Sequence, residues 1–220
     1  NTNQQTPDSA GTATALLTGV KTKSGVLGVG PEVITGNCAS SQQAHLTSIL
    51  ALAEIAGKST GIISTMALTN ASPAATYAQS PHRSWENDSL LPEEARAQGC
   101  KDIAWQMLNF PYGNGIDVML GGGRQHFFPN IAPDPENKAL TGARRDGSDL
   151  VALWQTRTHG QFVWDQAQFE KSDPQSGPLL GLFAHANMAY EAERLRTQAN
   201  EPSLAEMTVA AIQRLSHNPE

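Results

Sequence analysis

Helical and strand signals alternate through the first half of this chain, and no other feature restricts its possible folds as tightly. Residues 9–19 are a helical run of small residues that ends on Gly19, a common helix terminator. Residues 46–56 carry apolar side chains at helical spacing and close on Gly57. A short apolar strand is expected at 61–65. Pro92, welcome in a first helical turn, opens a helix expected to run to about Leu108. Residues 116–120 read as another strand, stopped by Gly121, Gly122 and Gly123. Helix and strand resume at 150–154 and 162–164, and a further strand is expected at 179–183. Ser203 and Glu206 form a capping box for a last helix that reaches about Leu215. Residues 130–147, rich in proline, glycine and charge, read as a surface excursion. This alternation implies an α/β layer fold with a mainly parallel sheet. With no internal repeat and no dividing linker, a single domain is expected over residues 1–220.

The balance of charges narrows the function. Net charge is −6 and the 15 Lys and Arg residues are scattered, which leaves no electrostatic footprint for nucleic acid or an acidic membrane. No apolar run approaches membrane-spanning length, and no signal peptide is evident. The chain begins at Asn1 without an initiator Met and stops at Glu220 just after a helix, so a segment of a longer protein is expected. Cys38 and Cys100 are either unrelated buried thiols or one bridge across a loop of about 60 residues. The six histidines lack metal-ligand spacing.

Chemistry is concentrated near the start, at Pro7-Asp8-Ser9-Ala10-Gly11-Thr12-Ala13-Thr14-Ala15. Ser9 stands at a helix N-terminus, where unpaired N–H groups and the positive dipole end favour an anion such as phosphate. The plainer alternative is that Ser9 only caps the helix. Asn70 to Ala78 follow directly on the strand at 61–65, and residues just past a parallel strand line the ligand crevice. Pro81-His82-Arg83-Ser84-Trp85 lies close behind.

Together with Gln98 to Ala104, Asp117 to Arg124, Gly181-Leu182-Phe183 and Pro202-Ser203-Leu204, these motifs make the chain resemble the alkaline phosphatases, particularly the branch containing the animal enzymes. The resemblance spans nearly the whole chain. It implies a three-layer α/β/α sandwich with a mainly parallel central sheet, incomplete here, of which residues 1–220 are the N-terminal and middle part.

The resemblance further implies hydrolysis of small phosphate monoesters at alkaline pH, through a phosphoserine on Ser9, with two zinc ions and one magnesium. In that reading one zinc binds Ser9 and replaces a base. Arg83 holds two phosphate oxygens, which suits its guanidinium fork, and Asp8 orients Arg83. Ser72 is a magnesium ligand. Asn70 stands where relatives have Asp or His and lies behind the ligands. Gly121, Gly122 and Gly123 are a structural turn, since the Lys-Ser/Thr of a P-loop is missing.

The matching relatives bridge Cys38 to Cys100, which implies export to the periplasm or exterior, with any membrane attachment lying outside this chain. A homodimer is also implied. Glu136, the Phe183 carbonyl and Glu201 match ligands of a calcium site found in some relatives, although a further carboxylate position is Ala184. Most zinc and magnesium ligands of the family have no counterpart here, which leaves an alternative: a truncated or degenerate paralogue that keeps the fold and at most binds phosphate or a partner. A serine hydrolase fits poorly, because Ser9 lacks a Gly-x-Ser-x-Gly elbow.

Overall fold

Local caps decide where most helices begin in the computed structural model, which describes residues 1–218. The first half contains α1 (Ser9–Thr18), α2 (Cys38–Ser41), α3 (Ile49–Ile55), β1 (Gly61–Ala67), α4 (Ala71–Ala74), α5 (Glu93–Ala97), α6 (Ile103–Leu108) and β2 (Val118–Gly122). The second half contains α7 (Leu150–Thr158), β3 (Gln161–Val163), α8 (Gln166–Glu170), β4 (Leu179–Leu182), α9 (Glu191–Thr197) and α10 (Leu204–Leu215). The carboxylates of Asp8, Asp102, Asp149 and Asp165 accept an N–H in the first turn of α1, α6, α7 and α8. The capping box of Ser203 and Glu206 is present on α10. Each such cap is worth about 1 kcal/mol.

The four strands form a parallel sheet in the order β1-β2-β4-β3. Side chains alternate between its faces, as strand geometry requires. Ile62, Met119 and Leu180 enter one core with Ala71 and Ala74 of α4, Ile103 and Met107 of α6, and Leu150 and Trp154 of α7. Val118, Leu120 and Leu179 face the other way, onto Met207 and Ala211 of α10. The result is the expected α/β/α layering, and the C-terminal ends of β1, β2 and β4 all open toward the loops that follow them.

Several boundaries differ from the sequence expectations. The helix from Pro92 to Leu108 is two helices, α5 and α6. Gly99 adopts φ 90°, a left-handed conformation that ends α5, and Asp102 caps α6 afresh. Cys100, between them, is bridged to Cys38 with the Cα atoms 5.9 Å apart. Helix α3 begins only at Ile49, because Ser48 accepts the Ala51 N–H and fixes the start. Strand β1 continues to Ala67. Strand β2 is not stopped at Gly121; it includes Gly121 and Gly122, and the turn falls at Gly123, φ 91°. A Cβ on Gly122 would lie 2.3 Å from the Ala186 carbonyl oxygen, so these glycines serve close backbone packing. The excursion at 130–147 is largely exposed, yet it is pinned by two buried side chains, Asp134 and Arg144. Arg144 makes a two-pronged pair with Asp102 at 3.0 and 3.1 Å, tying the excursion to the start of α6.

Candidate phosphate site

Asp8, and not Ser9, is the N-cap of α1, so Ser9 is the first helical residue and its exposed side chain is spared the capping role. The Asp8 carboxylate does several things at once. Its Oδ1 accepts the Gly11 N–H at 2.9 Å, and its Oδ2 accepts the Gly25 N–H at 3.0 Å and Arg83 Nη1 at 3.1 Å. Asn1 Nδ2 adds a longer bond at 3.3 Å. Burial alone would raise the Asp8 pKa. The N–H groups of Gly11 and Gly25, then Arg83 and Asn1, outweigh it and hold the carboxyl below its ordinary value. Arg83 is itself anchored by its backbone N–H, which donates to the Gly25 carbonyl at 2.8 Å. The structure thus brings the Ser9 helix, the Gly25 turn and Arg83 to one carboxylate.

Helix α4, which carries exposed Ser72, leaves the C-terminal end of β1 and packs beside α1. Asn70 occupies the N-cap position of α4 but makes no cap bond. Its Nδ2 donates instead to Glu86 Oε2 at 3.2 Å, an oxygen that also accepts Thr69 Oγ1 at 2.6 Å. Glu86 in turn faces the buried His126 at 3.4 Å. Neither Glu86 nor His126 was singled out from the sequence, because nothing local marks a pair that meets only through the fold.

The alkaline phosphatase family model matches residues 1–220. The human tissue-nonspecific isozyme is 43% identical over 100% of this chain and 43% of its own length. The chain belongs to the alkaline phosphatase family. An alkaline phosphatase of Gadus morhua is 40% identical over 100% of the chain and 46% of its own. The chain therefore spans less than half the length of these relatives. Among solved structures, Thermus thermophilus alkaline phosphatase covers 97% of the chain with TM-score 0.70 and 28% identity, matched over 36% of that enzyme. The enzyme of the Antarctic bacterium TAB5 shares the fold, with TM-score 0.70 and 23% identity over 99% of the chain and 50% of its own.

An alkaline phosphatase implies metal ions, for which the side chains present offer few donors. Among the described residues, no three His, Cys, Asp or Glu side chains gather as a metal site. Ser9 and Ser72 supply one hydroxyl each, too few for a zinc or magnesium ion, which need several donors. The calcium ligand positions have contacts within the chain. Glu136 Oε2 accepts Arg124 Nη2 at 2.9 Å. Glu201 accepts the Ala189 N–H at 2.7 Å, and position 184 offers no carboxylate. Arg124 completes this cluster through Asp134, at 2.8 and 2.9 Å, and through the Leu182 carbonyl at 2.8 Å.

Proposed function

We propose that this chain forms the phosphate-binding part of a phosphomonoesterase, with Ser9 as its nucleophile and Arg83 as its phosphate clamp. The observation that carries this reading is the Asp8 carboxylate, which joins the first turn of the Ser9 helix to the Arg83 guanidinium. Only one Arg83 nitrogen is engaged by Asp8, so the rest of the planar fork can take two oxygens of a phosphate. The positive end of α1 adds to the attraction. Exposed Ser9 Oγ then attacks phosphorus as the P–O bond to the alcohol breaks, its hydroxyl proton passing in balance to the departing alkoxide. Water later attacks the phosphoserine, breaking its Oγ–P bond to release inorganic phosphate and restore the hydroxyl.

The two zinc ions and one magnesium of this reading would take their remaining ligands from outside the described residues. The bridge between Cys38 and Cys100 supports an oxidising location, periplasmic or extracellular. Homodimer formation belongs to the same proposal. A second reading, phosphate binding without turnover, is favoured for this stretch alone by the lack of a gathered ligand set among the described residues.

The test is acid-quenched incubation with a labelled aryl phosphate, followed by peptide mass spectrometry. Label on Ser9, abolished in Ser9→Ala, is the expected result. Label elsewhere overturns the assignment, and phosphate binding with no label on any residue supports the second reading.

A further inference from the structure

Asn87, His126, Glu86 and Asn70 stand in a row, hydrogen-bonded at its two ends and joined in the middle by a 3.4 Å contact between His126 Nε2 and Glu86 Oε2. The backbone N–H and the hydroxyl of Ser89 both donate to Asn87 Oδ1, at 2.9 and 2.7 Å. That fixes which end of the Asn87 amide is oxygen, so its Nδ2 is the end that meets His126 Nδ1 at 2.7 Å. His126 Nδ1 must then accept, and the imidazole proton sits on Nε2, which faces Glu86 Oε2 at 3.4 Å. Burial, above all, keeps the His126 pKa below its ordinary value, consistent with a neutral ring carrying one proton. Glu86 Oε2 also receives Thr69 Oγ1 and Asn70 Nδ2. A carboxylate only accepts, so the Asn70 amide has one allowed orientation, and its Oδ1 is left outside this row.

We propose that Glu86, aligned by His126 and Asn87, is a positioning residue that fixes the Asn70 carboxamide so that it offers an acceptor oxygen beside Ser72. The functional consequence rests on the phosphate reading above; the orientation itself does not. At this place an acceptor and a donor have opposite chemistry. An acceptor can orient an attacking water or a hydrated cation, whereas an N–H₂ group would favour an anion. Local sequence says little about this, because the orientation is imposed across 39 residues between Asn87 and His126.

The experiment compares Glu86→Gln, Asn70→Asp and the double variant in the full-length protein. Asn70→Asp sets two carboxylates at the 3.2 Å contact, and Glu86→Gln sets two amides there. The double variant restores one donor and one acceptor with reversed polarity. Thermal midpoints, calorimetric affinity for inorganic phosphate and ¹⁵N spectra of His126 are read for all four proteins, and the ¹⁵N resonance of the Asn70 amide in the two that keep it. Both single variants are expected to lower the midpoint, and the double variant to recover most of the loss. Asn70→Asp is expected to weaken phosphate binding about tenfold, within the range of coupling between residues in contact.

Additive effects on the midpoint, or a His126 proton on Nδ1, overturn the proposal. If the unmodified protein binds no phosphate, the phosphate reading fails, while the midpoint coupling and the His126 spectrum still decide whether Glu86 orients Asn70.

Discussion

Replacing Arg124 with Met should be among the most damaging single changes in this protein. The guanidinium is buried, and its partner Asp134 is only 3% exposed at the side chain. Nε and Nη2 donate to the two Asp134 oxygens at 2.8 and 2.9 Å, and Nη1 to the Leu182 carbonyl at the end of β4. The Trp164 ring covers the guanidinium at 5.7 Å. Methionine keeps much of the volume but strands a buried carboxylate, which costs about 3–5 kcal/mol. For a chain of this length that lowers the thermal midpoint by about 6–20 °C, at about 2–4 °C per kcal/mol.

Adding Asp134→Asn removes the stranded charge, so the double variant should regain more than half of the loss. The unpaired Leu182 carbonyl accounts for what remains. Acid sensitivity supplies an independent check. Burial pushes the Asp134 pKa up, but Arg124, the Asn137 N–H and His185 outweigh that and hold it well below its ordinary 3.8. A carboxylate depressed on folding contributes stability above that ordinary value, and loses it as pH falls through the folded value. Urea midpoints measured from about pH 6 down to about pH 2 should therefore fall in the native protein, and fall much less in Arg124→Met. A loss under about 1 kcal/mol in Arg124→Met, or a double variant no better than the single one, refutes the reasoning.

Other expectations follow from the same geometry. Replacing both Cys38 and Cys100 with Ser should cost about 4 kcal/mol by the loop-entropy account, read by urea unfolding with and without reductant. Gly122→Ala should cost about 1–3 kcal/mol, because its Cβ meets the Ala186 backbone, which has to move; circular dichroism melts would show it. Asp8→Ala should lose about 1 kcal/mol of α1 capping and also weaken phosphate binding, since Arg83 is released; calorimetry separates the two effects.

Much of the layering was legible because it depends on local signals. Gly19 ends α1 in a left-handed conformation, Ser203 and Glu206 open α10, and the apolar runs around Ile62 and Met119 became β1 and β2. The division of the Pro92–Leu108 segment was also written in the chain, in Gly99 and in the capping Asp102, but the apolar spacing beyond them hid it. The site was legible where residues lie next to each other, as Asp8 and Ser9 do. Their joining to Arg83 came from the family resemblance, because an aspartate and an arginine 75 residues apart give no sign of meeting. The side chains behind Asn70 were not legible for the same reason. His126 looks like any histidine until the fold puts Glu86 on one ring nitrogen and Asn87 on the other.

The strand order also sets a timetable for synthesis. β3 leaves the ribosome before β4, yet β4 lies between it and β2, so residues 161–163 have no strand to join until residues 179–182 are made. The face of the sheet formed by Val118, Leu120 and Leu179 waits longer still, since Met207 and Ala211, which pack on it, are made after all four strands. Until α10 is made, only residues such as Phe169 and Met188 can shield that apolar face. Nascent chains arrested before α10 should accordingly bind chaperones or aggregate more than those arrested beyond it.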